Sequence, residues 1–169
     1  MKYNIVKIQI CSILLASIFT ITFKSYGQEL ELKGNPKSII SSTASVPSDY
    51  AVFYTSGFTA SALDPTLEDG DYAKYGNTET QALNILEKIK STLAENSYSL
   101  ADVFLMHVFV APDTQSGKYD FVGWNNAYKQ YFGTEENPTK PVRATVGVAT
   151  LVNPHKFIEI EVIAAKKPD

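Results

Sequence analysis

Arg143 is the residue of this chain whose type and setting most clearly point to chemistry. It opens the stretch PVRATVGVATLVNPHKFIEIEVIAA, Pro141 to Ala165, two runs of alternating residues joined by the turn formers Asn153, Pro154 and His155. The pattern predicts a β-hairpin with the arginine at its mouth. On the second arm Ile158, Ile160 and Val162 face one way and Glu159 and Glu161 the other, because strand side chains alternate with period two. A guanidinium stays charged and offers a planar fork of donors that fits a carboxylate bidentately, so an arginine here is a natural anion receptor. The plainer alternative is an arginine paired with Glu159 or Glu161 on a solvated sheet face.

The elements that must position Arg143 can be read upstream. Gln28 to Lys37 is a polar lead-in, and Ile39–Ala44 and Ala51–Thr55 are β-rich runs separated by the turn Val46-Pro47-Ser48-Asp49. Residues 60–77 hold Pro65, Gly70 and Gly76 among several acids and read as a loop. Thr78 with Gln81 three residues on has the form of a capping box, and Ala82, Ile85, Leu86, Ile89 and Leu93 follow at helical spacing, predicting a helix from Glu79 to Glu95. Val103–Ala111 is a nearly continuous apolar run, as expected of a strand covered on both faces and stopped by Pro112. Phe121, Trp124, Tyr128, Tyr131 and Phe132 fall on one helical stripe that ends at Gly133 and belongs to a core rather than to an aromatic ligand cage. The predicted order is ββαβαββ, an α+β fold in which a mixed sheet carries two helices on one face. Its other face then needs a partner, and closed cyclic oligomers supply one.

Composition narrows the function classes. A chain of 169 residues with 44% hydrophobic content is enough for one small domain, and a net charge of -3 gives no basic footprint for nucleic acid. Lys2 and Lys7 precede the apolar run Ile8–Phe23, and Ser25-Tyr26-Gly27 supplies small residues where a signal peptidase reads, so residues 1–27 read as a secretory signal peptide and 28–169 as the mature domain. The run is short for a membrane span, and an exported protein, periplasmic or secreted and free of the membrane after processing, is expected. The only cysteine, Cys11, falls inside that run, which excludes disulfides and thiol catalysis from the mature chain. His107, in the apolar strand, reads as a hydrogen-bonded core or interface group, and His155 as a turn residue. Two such separated histidines, with no cysteine in the mature chain, do not make up the ligand set of a transition-metal site.

The order Pro141-Val142-Arg143-Ala144, then Val146, Ala149 and Leu151, then Ile158-Glu159-Ile160, resembles the signature of the RidA (YjgF) family of enamine/imine deaminases and their relatives. Thr55-Ser56-Gly57, the helix bearing Gln81, Asn84 and Ile85, SLADVFLMHVFV and FVGWNNAYKQYFG follow in the family's order, so the resemblance covers roughly Ile39 to Ala165. It implies a chorismate-mutase-like fold, a homotrimer that packs its sheets into a central barrel, and clefts shared by neighbouring subunits. It also implies that Arg143 grips a substrate carboxylate, that Ser56 and Asn125 lie near the ligand, and that Glu159 orients a hydrolytic water. The family's usual glutamine after Ser-Gly is replaced here by Phe58, a ring that would either narrow the pocket or favour an apolar substituent on the ligand. The tyrosine of its N-terminal region is replaced by Thr43 near the counted position, and the spacer between Arg143 and Glu159 is one residue longer.

The reaction so implied needs no metal or organic cofactor. A 2-imino acid presents an electrophilic carbon beside a carboxylate, and its hydrolysis needs orientation through that carboxylate, one positioned water and a route for protons. Arg143 can meet the first need and Glu159 the second. Two functions stay open: a hydrolase that deaminates 2-imino or enamine acids, and a non-catalytic module that captures a small carboxylate, either a 2-imino or a 2-oxo acid.

Overall fold

The computed structural model describes residues 28–168; the leader expected at 1–27 lies outside the described residues. Strand β1 (Glu31–Lys33) and β2 (Thr43–Ser45) form a small antiparallel ribbon. The main sheet is built from β3 (Ala51–Tyr54), β4 (Phe58–Thr59), β5 (Val103–Val110), β6 (Val142–Gly147) and β7 (Ile158–Lys166), with helices α1 (Thr78–Glu95) and α2 (Phe121–Tyr128) in the connections. From β3 onward the order reads ββαβαββ as predicted, although its first two strands are β3 and β4 and not the runs 39–44 and 51–55. The sheet runs β3-β7-β5-β6, with β4 also pairing with β7.

Two departures from the sequence reading matter for function. Residues 141–165 do not form a hairpin. β5 lies between the two arms, parallel to β6 in the register Met106↔Arg143 and antiparallel to β7 in the register His107↔Glu161. Alternation shows that a segment is a strand but carries no information about its partner, and an apolar strand earlier in the chain has taken the inner position. The run 39–44 is also not a sheet strand. It makes a single parallel bridge, Ser41 to Val142, before Thr43–Ser45 turns away to pair with Glu31–Lys33 inside the expected lead-in.

The core lies between the helices and one sheet face. Ala82, Ile85, Leu86, Ile89 and Leu93 of α1 are buried against Ile158, Ile160, Val162 and Ala164 of β7, each set following the period of its element. On α2, Trp124 meets Tyr128 edge-on at 5.6 Å, and Tyr128 stacks on Phe132 at 5.1 Å. The helix itself ends at Tyr128 with Lys129 as its cap, short of the expected stop at Gly133, whose φ of 71°, costly for a residue with a Cβ, belongs to a later turn. β5 is not covered on both faces as its apolar run predicted. Val103, Met106, Val108 and Val110 are buried, while Leu105, His107 and Phe109 are half-buried on the side away from the helices. Tyr54, Val52 and Val146 are exposed apolar groups of the sheet strands as well.

The start of α1 differs from the predicted capping box. Asn77 is the cap, its side chain accepting from the Thr80 amide at 2.9 Å, which frees Gln81 for a tertiary role. The fully buried Gln81 carboxamide donates to the carbonyls of Gly76 and His155 and accepts from the Phe157 amide at 2.7 Å, tying the helix to the entry of β7. Replacing it with an apolar residue leaves the buried Phe157 amide and the part-buried carbonyls of Gly76 and His155 unpaired, a lost bond to a buried group costing about 1–3 kcal/mol. Gln81→Leu is therefore expected to destabilise the fold by about 3 kcal/mol, read as a lower urea midpoint with an unchanged slope. A midpoint equal to wild type would show that Gln81 is not the link.

Candidate functional site

Arg143 sits on the second residue of the edge strand β6. Its registry partner Met106 is fully buried, so the arginine side chain leaves the sheet on the helix-covered face. There its guanidinium carbon lies 4.5 Å from the centre of the Tyr128 ring and 5.2 Å from that of Trp124, both cation–π contacts. Nη2 donates to Asn125 Oδ1 at 2.8 Å, which sets the plane of the fork. Nη1 is buried and has no hydrogen-bond partner within the described chain, and neither do Trp124 Nε1 beside it nor Thr145 Oγ1 on the same face of β6. Among the described residues Arg143 makes no ion pair. Burial lowers its pKa from the usual arginine value because it penalises the charged form, and the nearby Tyr128 phenol offsets this only in part. The same burial raises the Tyr128 phenol to about 12.

A cavity of about 490 Å³ adjoins this residue. Arg143 lines it together with Val142, Ala144, Leu105 and His107 of the sheet and with Ser38, Ile40, Ser41 and Ser42 of the segment that bridges to β6. The three serines and His107 were not among the sequence-predicted site residues. Ser41 and Ser42 reach the cavity because the segment predicted as a sheet strand runs past the start of β6 instead, a placement that local pattern does not encode.

The remaining predicted site residues divide into two groups. Asn125 belongs with Arg143, as the register of α2 over β6 dictates. Ser56, Phe58 and Glu159 form a second group at β4 and β7, where Thr59 is registered with Glu159 and a Cβ built on Gly57 would overlap the Glu159 carboxylate. Phe58 is registered with the buried Ile160, so its ring packs on the core beneath the Lys88 ammonium, 5.6 Å from the ring centre. It does not line the Arg143 cavity. β5 separates the two groups. β6 and β7 are two strand spacings apart, about 10 Å, and Glu159, registered with the half-buried Phe109, leaves the face opposite to Arg143. Within one chain the arginine and this glutamate therefore do not meet. Glu161 does not pair with Arg143 either; its Oε1 lies 2.6 Å from His107 Nδ1.

The family model described as Endoribonuclease L-PSP matches residues 41–166. The chain belongs to this family. It is the RidA (YjgF) family that the C-terminal motif resembles. A RutC family protein of Pyrococcus horikoshii is 35% identical over 105 residues, covering 62% of this chain and 73% of the relative. The 3-aminoacrylate deaminase RutC of Acinetobacter baylyi is 33% identical over 104 residues, covering 62% and 75%. Among solved structures, the Rid family protein YyfB of Yersinia pestis superposes with a TM-score of 0.61 over 82% of this chain and all of its own, at 16% identity, a likeness of fold. RidA-family members thus share with this chain the mixed sheet backed by two helices.

Proposed function

We propose that this RidA-family protein captures the carboxylate of small 2-imino or 2-oxo acids at Arg143 and hydrolyses 2-imino and enamine acids to 2-oxo acids and ammonia. One observation carries the reading: Arg143 is a desolvated cation with no acidic partner among the described residues, stacked on two rings and oriented by Asn125 at the edge of a 490 Å³ cavity. Burying a charge without a counter-ion is expensive, and an incoming carboxylate returns that cost as a bidentate pair. The plainer alternative, an arginine neutralised by Glu159 or Glu161, does not hold within the chain. The relative named a 3-aminoacrylate deaminase supports the reaction class.

The separation of the two residue groups favours a site shared between copies. We place Glu159, beside Ser56 and Gly57 of one subunit, against the Arg143 group of the next, where it orients the attacking water. The uncovered sheet face with Leu105, Phe109, Val146 and Tyr54 is the surface such an assembly would bury, and a homotrimer is the closed form we propose. Light scattering of the 28–169 protein should give three times the monomer mass; a monomer mass would remove the shared site. Export follows from the Lys-flanked apolar run, and the intact mass of the protein recovered from the periplasm or medium should lack residues 1–27.

Arg143→Lys tests the receptor directly. An ammonium cannot reproduce the guanidinium fork, so binding of pyruvate or 2-oxobutanoate should weaken by about 1.5–3 kcal/mol in calorimetric titration, with fold and assembly retained. Equal, measurable affinities in both proteins would take Arg143 out of the site. Binding without ammonia release from imino acids generated in situ would leave the carboxylate-binding module as the function.

A further inference from the structure

Lys88 and Lys156 come from different elements and converge on one residue of strand β4. Lys88 projects from α1, and its ammonium donates to the Thr59 carbonyl at 2.8 Å and lies 5.6 Å from the centre of the Phe58 ring. Lys156 stands just before β7; its ammonium donates to Thr59 Oγ1 at 3.2 Å and lies 5.2 Å from the centre of the Tyr75 ring. We propose that this lysine pair at the outer edge of β4 is a binding site for a doubly charged phosphate, free or as a small monoester, separate from the Arg143 site.

Neither ammonium has a counter-ion among the described residues. The carboxylates of the surrounding elements are engaged elsewhere. Asp69 pairs with Lys74 at 2.7 Å and accepts from the Tyr75 hydroxyl at 3.1 Å. Glu87 accepts from the Tyr131 hydroxyl at 2.8 Å and lies 3.8 Å from Lys90. Glu159, registered with Thr59, is packed against Gly57. Two like charges gathered on one threonine repel, and burial adds to the cost of holding them: the Lys88 pKa is lowered from the usual lysine value first by burial and then by the Lys156 ammonium.

The donors fit a phosphate. An ammonium has three N–H donors and each lysine spends one on Thr59, which leaves donors on both for a ligand with several acceptor oxygens. A dianion neutralises both charges at once, whereas a monocarboxylate neutralises one. β4 pairs with β7 alone, so no strand covers its outer edge among the described residues, and both lysines are half-buried rather than enclosed. Arg143 lies on β6, the opposite edge strand of the sheet, so an anion held by the lysines leaves the arginine free.

Calorimetric titration with inorganic phosphate, at an ionic strength held constant with chloride, tests the site on wild type, Lys88→Gln, Lys156→Gln and Arg143→Lys. Wild type and Arg143→Lys should bind phosphate equally well, and each lysine variant should bind it about tenfold more weakly, the loss of one charge-assisted contact. Glycerol phosphate run beside it identifies the form of the ligand: tighter binding than inorganic phosphate marks an ester, weaker binding the free ion, and either supports the site. Acetate binding should be the same in wild type and in the lysine variants. Phosphate heats no larger than those of chloride overturn the proposal, and so does equal phosphate affinity in wild type and both lysine variants. Phosphate binding lost in Arg143→Lys and kept in the lysine variants moves the anion to the arginine and overturns it too. Each variant is compared with wild type by circular dichroism; Lys156, outside the helices and strands, decides the outcome alone if Lys88→Gln does not fold.

Discussion

Backbone hydrogen bonding on both edges of β5 governs where each polar side chain of this protein can act. Parallel pairing to β6 puts Arg143 opposite the buried Met106 and so directs it toward the helices. Antiparallel pairing to β7 puts Glu161 beside His107 and Glu159 beside Phe109 on the other side. A shift of one residue in either ladder would reverse those assignments, because side chains alternate faces with period two. The fully buried Gln81, which ties α1 to the entry of β7, helps hold that register.

The electrostatics follow from this geometry. Each of the two carboxylates that could have neutralised Arg143 is placed elsewhere, one bonded to an imidazole and one packed against Gly57. The guanidinium keeps its charge against the cost of burial through the faces of Tyr128 and Trp124 and one amide oxygen. Cation–π contacts of this kind contribute about 0.5–2 kcal/mol, less than the desolvation of a charged group, so the site keeps an unspent capacity to bind an anion.

The uncovered sheet face and the division of the candidate residues are two aspects of one arrangement. Both helices pack on the same side, so Leu105, Phe109 and Val146 have no covering element among the described residues, and the residues near Glu159 stand apart from those near Arg143. The described residues contain no cysteine, which leaves apolar burial and backbone pairing to hold the fold.

Sequence alone determined the family and most of the elements from Ala51 onward. Helical spacing in α1 and α2 and alternation in β7 follow from local periodicity, and the Pro-Val-Arg-Ala motif with Ile158-Glu159-Ile160 pointed to the family to which the chain belongs. Trp124, Tyr128 and Phe132 of the aromatic stripe were legible as core from their spacing, while Phe121 at its start is exposed, and the uncovered sheet face was legible because the helices were only two. Strand order was not, since alternation in β6 and β7 is the same whether they pair with each other or with a third strand. Only tertiary structure decided that β5 lies between them. That insertion separated Arg143 from Glu159, joined His107 to Glu161 across 54 positions of sequence, and brought Ser41 and Ser42 to the arginine's cavity. Such contacts depend on long-range backbone pairing, which a local pattern of side chains does not specify.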